Sequence, residues 1–270
     1  MTINYKSMKI KKLRFNKTVH FLLWFSVLLI IWEIASRIGL VNSYILPPFS
    51  TVINNMFNQL ISGNLGLQVM NSLFILFCGV GLAFIITIIV ILLCSLSLVI
   101  ETLFTTLSTI FNPLPAVALM PIIILWFGID TNAMLAIIVH SVLWSSIRYL
   151  LDGIRTIPKV YYEWCDNIEL SFVRKFVSVT FFAILPNMVA GIRVGWGNAW
   201  RALLSAEMIF GTIGTFGGIG YYIYSARAYA NITNVMSGVI VIVIIGIIIE
   251  SLLFKKLEEL AVKRWGMICG

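Results

Sequence analysis

A chain of 270 residues that is 60% hydrophobic and only 11% charged, with a mean hydropathy of +1.00, lies far outside the composition of a soluble domain. At roughly 20 apolar residues per membrane crossing, its apolar runs accommodate five or six helices and leave no room for a sizeable soluble domain. The formal net charge of +8 does not point to nucleic acid, because the basic residues gather at the chain ends and in one loop, where they read as topology signals.

Residues 1–18 form a basic tail with Lys6, Lys9, Lys11, Lys12, Arg14 and Lys17, ahead of an apolar run from His20 to Ile34. A secretory leader has the same layout, but Trp32-Glu33-Ile34-Ala35-Ser36-Arg37 offers no small-x-small cleavage site. The run is therefore predicted to remain as a first span, with the basic tail in the cytoplasm. Pro47 and Pro48 force extended backbone, after which Ser50 or Thr51 is placed to cap a short, weakly amphipathic outer helix over Ile53–Ile61. A second span covers Val69–Leu98, where Gly79 and Gly81 permit close helix approach. The third, Leu103–Phe127, is interrupted by Pro113, Pro115 and Pro121 in the run from Asn112 to Gly128, NPLPAVALMPIIILWFG. Each proline removes a backbone donor that lipid cannot replace, so this span is expected to face the bundle or a pathway. A kinked helix buried for packing alone is the alternative.

Asp130–Asn132 make an outer turn, and Ala133–Leu151 is the fourth span, leading to Arg148, Asp152 and Arg155 on the cytoplasmic side. The longest interruption of the apolar second half runs from Pro158 to Gly191. It sets Lys159, Arg174 and Lys175 among Glu163, Asp166 and Glu169, interleaved with Tyr161, Tyr162, Trp164, Phe172 and Phe176. At helical spacing Tyr162, Cys165, Glu169, Phe172 and Phe176 fall together, which predicts one or two short interfacial helices over 158–183 that present a docking surface. A plain solvated loop is the competing reading.

The fifth span, Met188–Phe210, contains Gly191 and Gly195 at GxxxG spacing, a pattern that serves close packing within a bundle and a dimer seam alike. Asn198, Arg201 and Ser205 share one face at i, i+3 and i+7, a polar stripe in an otherwise apolar helix. With a helix start near Leu185, Arg201 lies about 24 Å along it at ~1.5 Å per residue, in the outer part of the membrane. A charge at that depth faces the bundle interior or water. Glu207 sits about 120° round the helix from Arg201, which disfavours a pair within the helix and leaves a partner on another helix open. Gly211–Asn234 is a glycine-rich, aromatic outer segment, Val235–Phe254 is the sixth span, and Lys255, Lys256, Lys263 and Arg264 lead into the tail 261–270.

Six spans with an inside amino terminus leave only Arg37 and Arg227 in outer segments, so both termini and 158–183 are assigned to the cytoplasm. Residues 19–260 form one transmembrane domain. Cys78, Cys94, Cys165 and Cys269 contain no close pair of metal or redox spacing, and His20 and His140 are isolated, so no metal or catalytic site is assigned. There is no GxxxxGK[ST] run and not even a Gly-Lys dipeptide, so this sequence carries no phosphate loop for nucleotide.

The 158–191 segment resembles the cytoplasmic coupling loop of ABC importer permeases, whose pattern is Glu-Ala-Ala, three residues, Gly, then a downstream Leu-Pro and a Gly. Glu163, Leu185-Pro186 and Gly191 stand where that pattern wants them. Trp164 and Cys165 replace the alanines, Glu169 takes the glycine position, and Phe181-Phe182 sits where relatives often carry an earlier Leu-Pro. The blocks Asn112–Asp130 and Ala199–Ile223 are similar to permeases for nitrate, sulfonate, taurine and thiamine-precursor uptake, within a likeness that runs over roughly Leu46–Glu259.

The resemblance implies an all-α polytopic protein of the cell (inner) membrane with about six transmembrane helices, like the type I ABC importer permeases. It implies a pair of permease copies forming a homodimer, an external solute-binding protein, and two ATPase subunits that hold ATP and Mg; the chain itself would bind no cofactor. Glu163, Trp164, Cys165, Glu169, Pro186 and Gly191 would serve ATPase coupling, with a modified turn at Glu169. Asn112, Pro113, Pro115, Pro121, Asn198, Arg201, Ser205 and Glu207 would line the path of a small polar or anionic solute. The competing class is a stand-alone channel or proton-coupled carrier using Arg201 and Glu207; a membrane enzyme fits less well, for want of paired histidines or metal-spaced carboxylates in the spans.

Overall fold

A computed structural model describes residues 4–214 and 216–264, with side chains described outside 4–18, 21, 22 and 260–264. The side chains of the basic tail, and Cys269, therefore lie outside the described residues. Every regular element among the described residues is helical. In chain order these are α1 (Asn4–Arg37), α2 (Phe49–Ile61), α3 (Leu65–Leu96), α4 (Leu98–Phe111), a 3-10 turn (Ala116–Leu119) and α5 (Met120–Phe127). There follow α6 (Thr131–Arg155), α7 (Lys159–Asn167), α8 (Phe172–Lys175), a π turn (Phe176–Thr180) and α9 (Phe181–Ala183). The chain continues through α10 (Leu185–Phe210), α11 (Ile219–Ala228), α12 (Ile232–Ile248), a second π turn (Ile249–Phe254) and α13 (Lys255–Arg264).

Three stretches, Leu65–Leu96, Thr131–Arg155 and Ile232–Glu259, are helices long and apolar enough to cross a membrane. Two further crossings arise if each bent pair counts as one: Leu98–Phe111 with Ala116–Phe127, bent by 93°, and Phe172–Ala183 with Leu185–Phe210, bent by 64°. Among the described residues the expected six spans thus stand at three to five, and the predicted first span falls within α1, whose side chains are described only in part. The proline-rich span is broken outright. Pro113 and Pro115 lie in the break, where Leu114 N–H donates to Phe111 O (3.1 Å) and Ala118 N–H to Pro115 O (2.9 Å). Pro121, expected to interrupt the helix, instead stands in its first turn, where a missing N–H costs nothing.

The expected Ser50 or Thr51 cap of α2 is not made, because a carboxylate from α1 takes that role. The Ser50 N–H and hydroxyl donate to Glu33 Oε2 and Oε1 (3.0 and 2.8 Å), and Arg37 Nε closes on Glu33 Oε1 at 2.6 Å. At its other face α2 is tied to α12: Asn55 Nδ2 donates to Asn234 Oδ1 (2.7 Å) and Ser237 Oγ (2.9 Å).

The centre of the bundle is α6, packed against α3 on one side and α10 on the other. Gly191 and Gly195 make that second contact possible. A β-carbon on Gly191 would stand 3.2 Å from Ser146 Cα, and one on Gly195 3.2 Å from Val142 Cα, so the glycine pair is spent on packing inside the chain. Two cores result. The larger, on the side of α2 and α11, gathers Leu76, Ile137, Ile138, Trp196 and Leu203. The smaller joins Ile91, Ile147 and Leu150 to Phe176, Ile184 and Met188, so that the segment leading into α10 is welded to α3 and α6 by buried apolar area.

Candidate functional site

The break in the third span opens a cavity of about 280 Å³ against α6 and α10. Phe111, Asn112, Pro113, Leu114, Pro115, Ala116 and Val117 line it from the break, His140, Ser141 and Trp144 from α6, and Asn198, Arg201, Ala202 and Ser205 from α10. Two stretches singled out separately in the sequence, the proline break and the polar stripe, therefore meet. Measured from the ends of α4, α6 and α10 near the 158–183 loop, Phe111, His140 and Arg201 lie about 20, 22 and 24 Å along their helices at ~1.5 Å per residue. The three walls meet at one depth.

Arg201 is exposed to this space, with Nη2 donating to Asn198 Oδ1 at 2.8 Å, and it has no acidic partner among the described residues. Sequence reasoning missed the facing wall. Trp144 Nε1 donates to His140 Nδ1 at 3.0 Å, which leaves the ring proton on Nε2, 3.5 Å from the Leu114 carbonyl freed by the break. Phe111 stacks on Trp144 (centroids 4.9 Å apart, 20° between planes) and meets His140 edge-on at 6.3 Å. The i, i+4 spacing of His140 and Trp144 in an apolar helix is the signal that could have found it.

Pro121 and Glu207 lie outside the cavity lining. Glu207 is fully buried, and its carboxylate accepts from Ser72 Oγ (2.6 Å) and from the Gly220 N–H (2.8 Å) in the first turn of α11. Ser72 Oγ also accepts from the Ile219 N–H at 2.9 Å. The carboxylate thus satisfies unpaired donors at a helix start, where the helix dipole favours negative charge. A side chain on Gly218 would collide with both carboxylate oxygens. Gln68 Nε2 and Asn71 Nδ2 hold the preceding loop by the carbonyls of Phe216 (3.0 Å) and Gly217 (2.8 Å).

The 158–183 segment folds as short helices with two faces. Cys165 and Phe176 are buried, Phe176 in the core shared with α3 and α6, and within the segment the Tyr162 hydroxyl lies 3.2 Å from Thr180 Oγ1. Val160, Tyr161, Trp164 and Ile168 are exposed beside Glu163, and Lys175 Nζ bonds to Asp166 Oδ1 to tie α8 to α7. Glu169 adopts the left-handed conformation itself (φ 53°). Leu170 N–H reaches Cys165 O and Glu169 N–H reaches Asp166 O, both at 3.0 Å, the paired bonds of a Schellman ending that usually has glycine at this position. Pro186 stands in the first turn of α10, and Gly191 belongs to the α6 contact rather than to the exposed face.

The family model described as binding-protein-dependent transport system inner membrane component matches residues 96–259. The chain is similar to the putative aliphatic sulfonates transport permease protein of Bacillus subtilis, 27% identical over 246 residues that cover 89% of this chain and 85% of that protein. It is similar to the taurine transport system permease protein of Escherichia coli, 24% identical over 242 residues (83% and 82% covered). The nitrate import permease protein of Synechocystis sp. is 24% identical over 243 residues (88% and 86% covered).

Left-handed backbone costs a residue with a β-carbon about 1–2 kcal/mol, so Glu169→Gly is expected to tighten the α7 ending. Hydrogen exchange of amides 165–171 checks this: slower exchange in Glu169→Gly is the expected result, and faster exchange would show that the glutamate side chain itself supports the turn.

Proposed function

The chain belongs to the family of binding-protein-dependent transport system inner membrane components, and from that premise we infer that it is the permease of an ATP-driven importer passing a small oxyanion-bearing solute through the cavity at the broken span. Membership makes it a multi-pass transport permease and implies ATPase and binding-protein partners. The observation that carries the solute class is Arg201: a guanidinium within the helix bundle, open to a cavity and free of any acid among the described residues. Sulfonates, taurine and nitrate, in the names of the relatives, all present an oxyanion that such a group would take in charge-assisted hydrogen bonds.

A charge facing lipid within the hydrocarbon costs up to about 2.5–3.5 kcal/mol on insertion scales. The open side of the cavity is therefore assigned to a second copy of the permease across a homodimer seam. ATP and Mg belong to two ATPase subunits that dock on the exposed face of α7, where Trp164, Tyr161 and Ile168 surround Glu163. The gathering of Lys and Arg at both ends and in 158–183, against only Arg37 and Arg227 in the opposite segments, supports the cytoplasmic placement of all three. The carrier alternative draws no support from Glu207, which is occupied at the start of α11 and absent from the cavity lining.

Arg201→Gln in the assembled complex, reconstituted with its binding protein, is expected to cut uptake of the native solute by about 10- to 100-fold, the worth of a lost charge-assisted bond. Unchanged uptake would reject the cavity as the path. Glu163→Lys is expected to insert normally yet lose ATPase association and transport; co-purification of the ATPase at wild-type level together with full uptake would reduce the loop to a connector.

A further inference from the structure

We propose that Phe111, His140 and Trp144 form a selectivity wall, and that the solute is an organic anion with an apolar carbon body rather than a bare inorganic oxyanion. The inference rests on the reading of this cavity as the solute path, and it comes from how the polar groups are divided between the two sides. On the α10 side stand Arg201 and Asn198, bonded to each other through one guanidinium nitrogen at 2.8 Å, which leaves further guanidinium N–H groups without a partner among the described residues. The opposite side gives few donors: the Asn112 amide at the break is one, and the aromatic residues give none. The Trp144 N–H is spent on His140 Nδ1, and His140 Nε2 turns to the Leu114 carbonyl.

Ser141 and Ser205 complete the division, because each hydroxyl donates to its own helix, to Ile137 O (2.8 Å) and Arg201 O (2.9 Å). Opposite Arg201, beside the Asn112 amide, the lining is apolar or ring surface, with Phe111 stacked on Trp144 and His140 edge-on to Phe111. Ring carbon offers a naked anion no conventional hydrogen bond and packs well against an apolar body. Size argues the same way. A cavity of about 280 Å³ holds about nine waters at ~30 Å³ each, which leaves most of the space unfilled when an anion of four or five atoms sits on Arg201.

The test is equilibrium binding by calorimetry to the purified permease–ATPase complex in nanodiscs, without the binding protein, using benzenesulfonate and nitrate as probes. Wild type is expected to bind benzenesulfonate at least about tenfold more tightly than nitrate. Trp144→Leu should erase most of that ratio by weakening benzenesulfonate alone, while Trp144→Phe, which keeps a ring and loses the N–H, should preserve it. Equal affinities in wild type, or loss of the ratio in Trp144→Phe, overturn the wall, and neither outcome depends on Trp144→Leu folding. Arg201→Gln separates the two readings. Binding of both probes that weakens with Arg201→Gln, at equal wild-type affinity, removes the wall and leaves the path intact; binding indifferent to Arg201 removes both.

Discussion

The structure depends on one constraint: a membrane interior offers no water to a broken backbone, so every N–H and C=O released at Asn112–Pro115 needs protein or an aqueous cavity beside it. Pro113 and Pro115 make the break unavoidable by withholding donors, and the 93° bend that follows turns α5 away from α4. The freed segment is then sheltered by α6 and α10, with His140 placed at the Leu114 carbonyl. Those two helices can close on each other because Gly191 and Gly195 let their backbones approach at Ser146 and Val142. The cavity is what is left where the broken span fails to fill the angle between them.

A locked joint at the α11 end and continuous packing at the α7 end frame that cavity. Glu207, buried and bonded to the first turn of α11, fixes that helix against α3 and α10, so the polar stripe of α10 ends in a locked joint. At the other end, α10 grows out of α9 through a 64° bend, and Phe176, Ile184 and Met188 share one core with Ile91 and Ile147. Tyr162 of α7 meets Thr180 of the first π turn, and Phe176 of that turn packs with Ile184 and Met188 in the core beneath α10. The second π turn, Ile249–Phe254, is tied back to α10 by Arg193, whose Nε donates to Glu250 Oε1 at 2.8 Å.

What the sequence discloses follows the range of the interaction. The i, i+3, i+7 stripe Asn198, Arg201, Ser205 and the proline break are local patterns, and both are legible; their meeting across the cavity with His140 and Trp144 is tertiary and is not. The GxxxG pair is ambiguous without α6 opposite it. Ser50 reads as a cap because a local hydroxyl is the usual solution, whereas Glu33, seventeen residues earlier, supplies a stronger acceptor to the same N–H. Glu207 cannot be assigned from side-chain patterns at all, since one of its partners is the backbone N–H of Gly220. Pro121 groups with Pro113 and Pro115 by proximity, although a proline in the first turn of a helix starts it.

The central claim, that Arg201 faces a water-filled solute path rather than lipid or solid protein, is tested most directly by thiol accessibility. With the four native cysteines replaced, Ser205→Cys on the cavity wall is compared with Leu125→Cys, which lies 81% exposed on α5. A charged, membrane-impermeant thiol reagent is expected to modify Ser205→Cys at least about ten times faster, since such a reagent does not partition into hydrocarbon, and to block uptake as it does so. Equal, slow modification at both positions, with uptake preserved, would contradict the account.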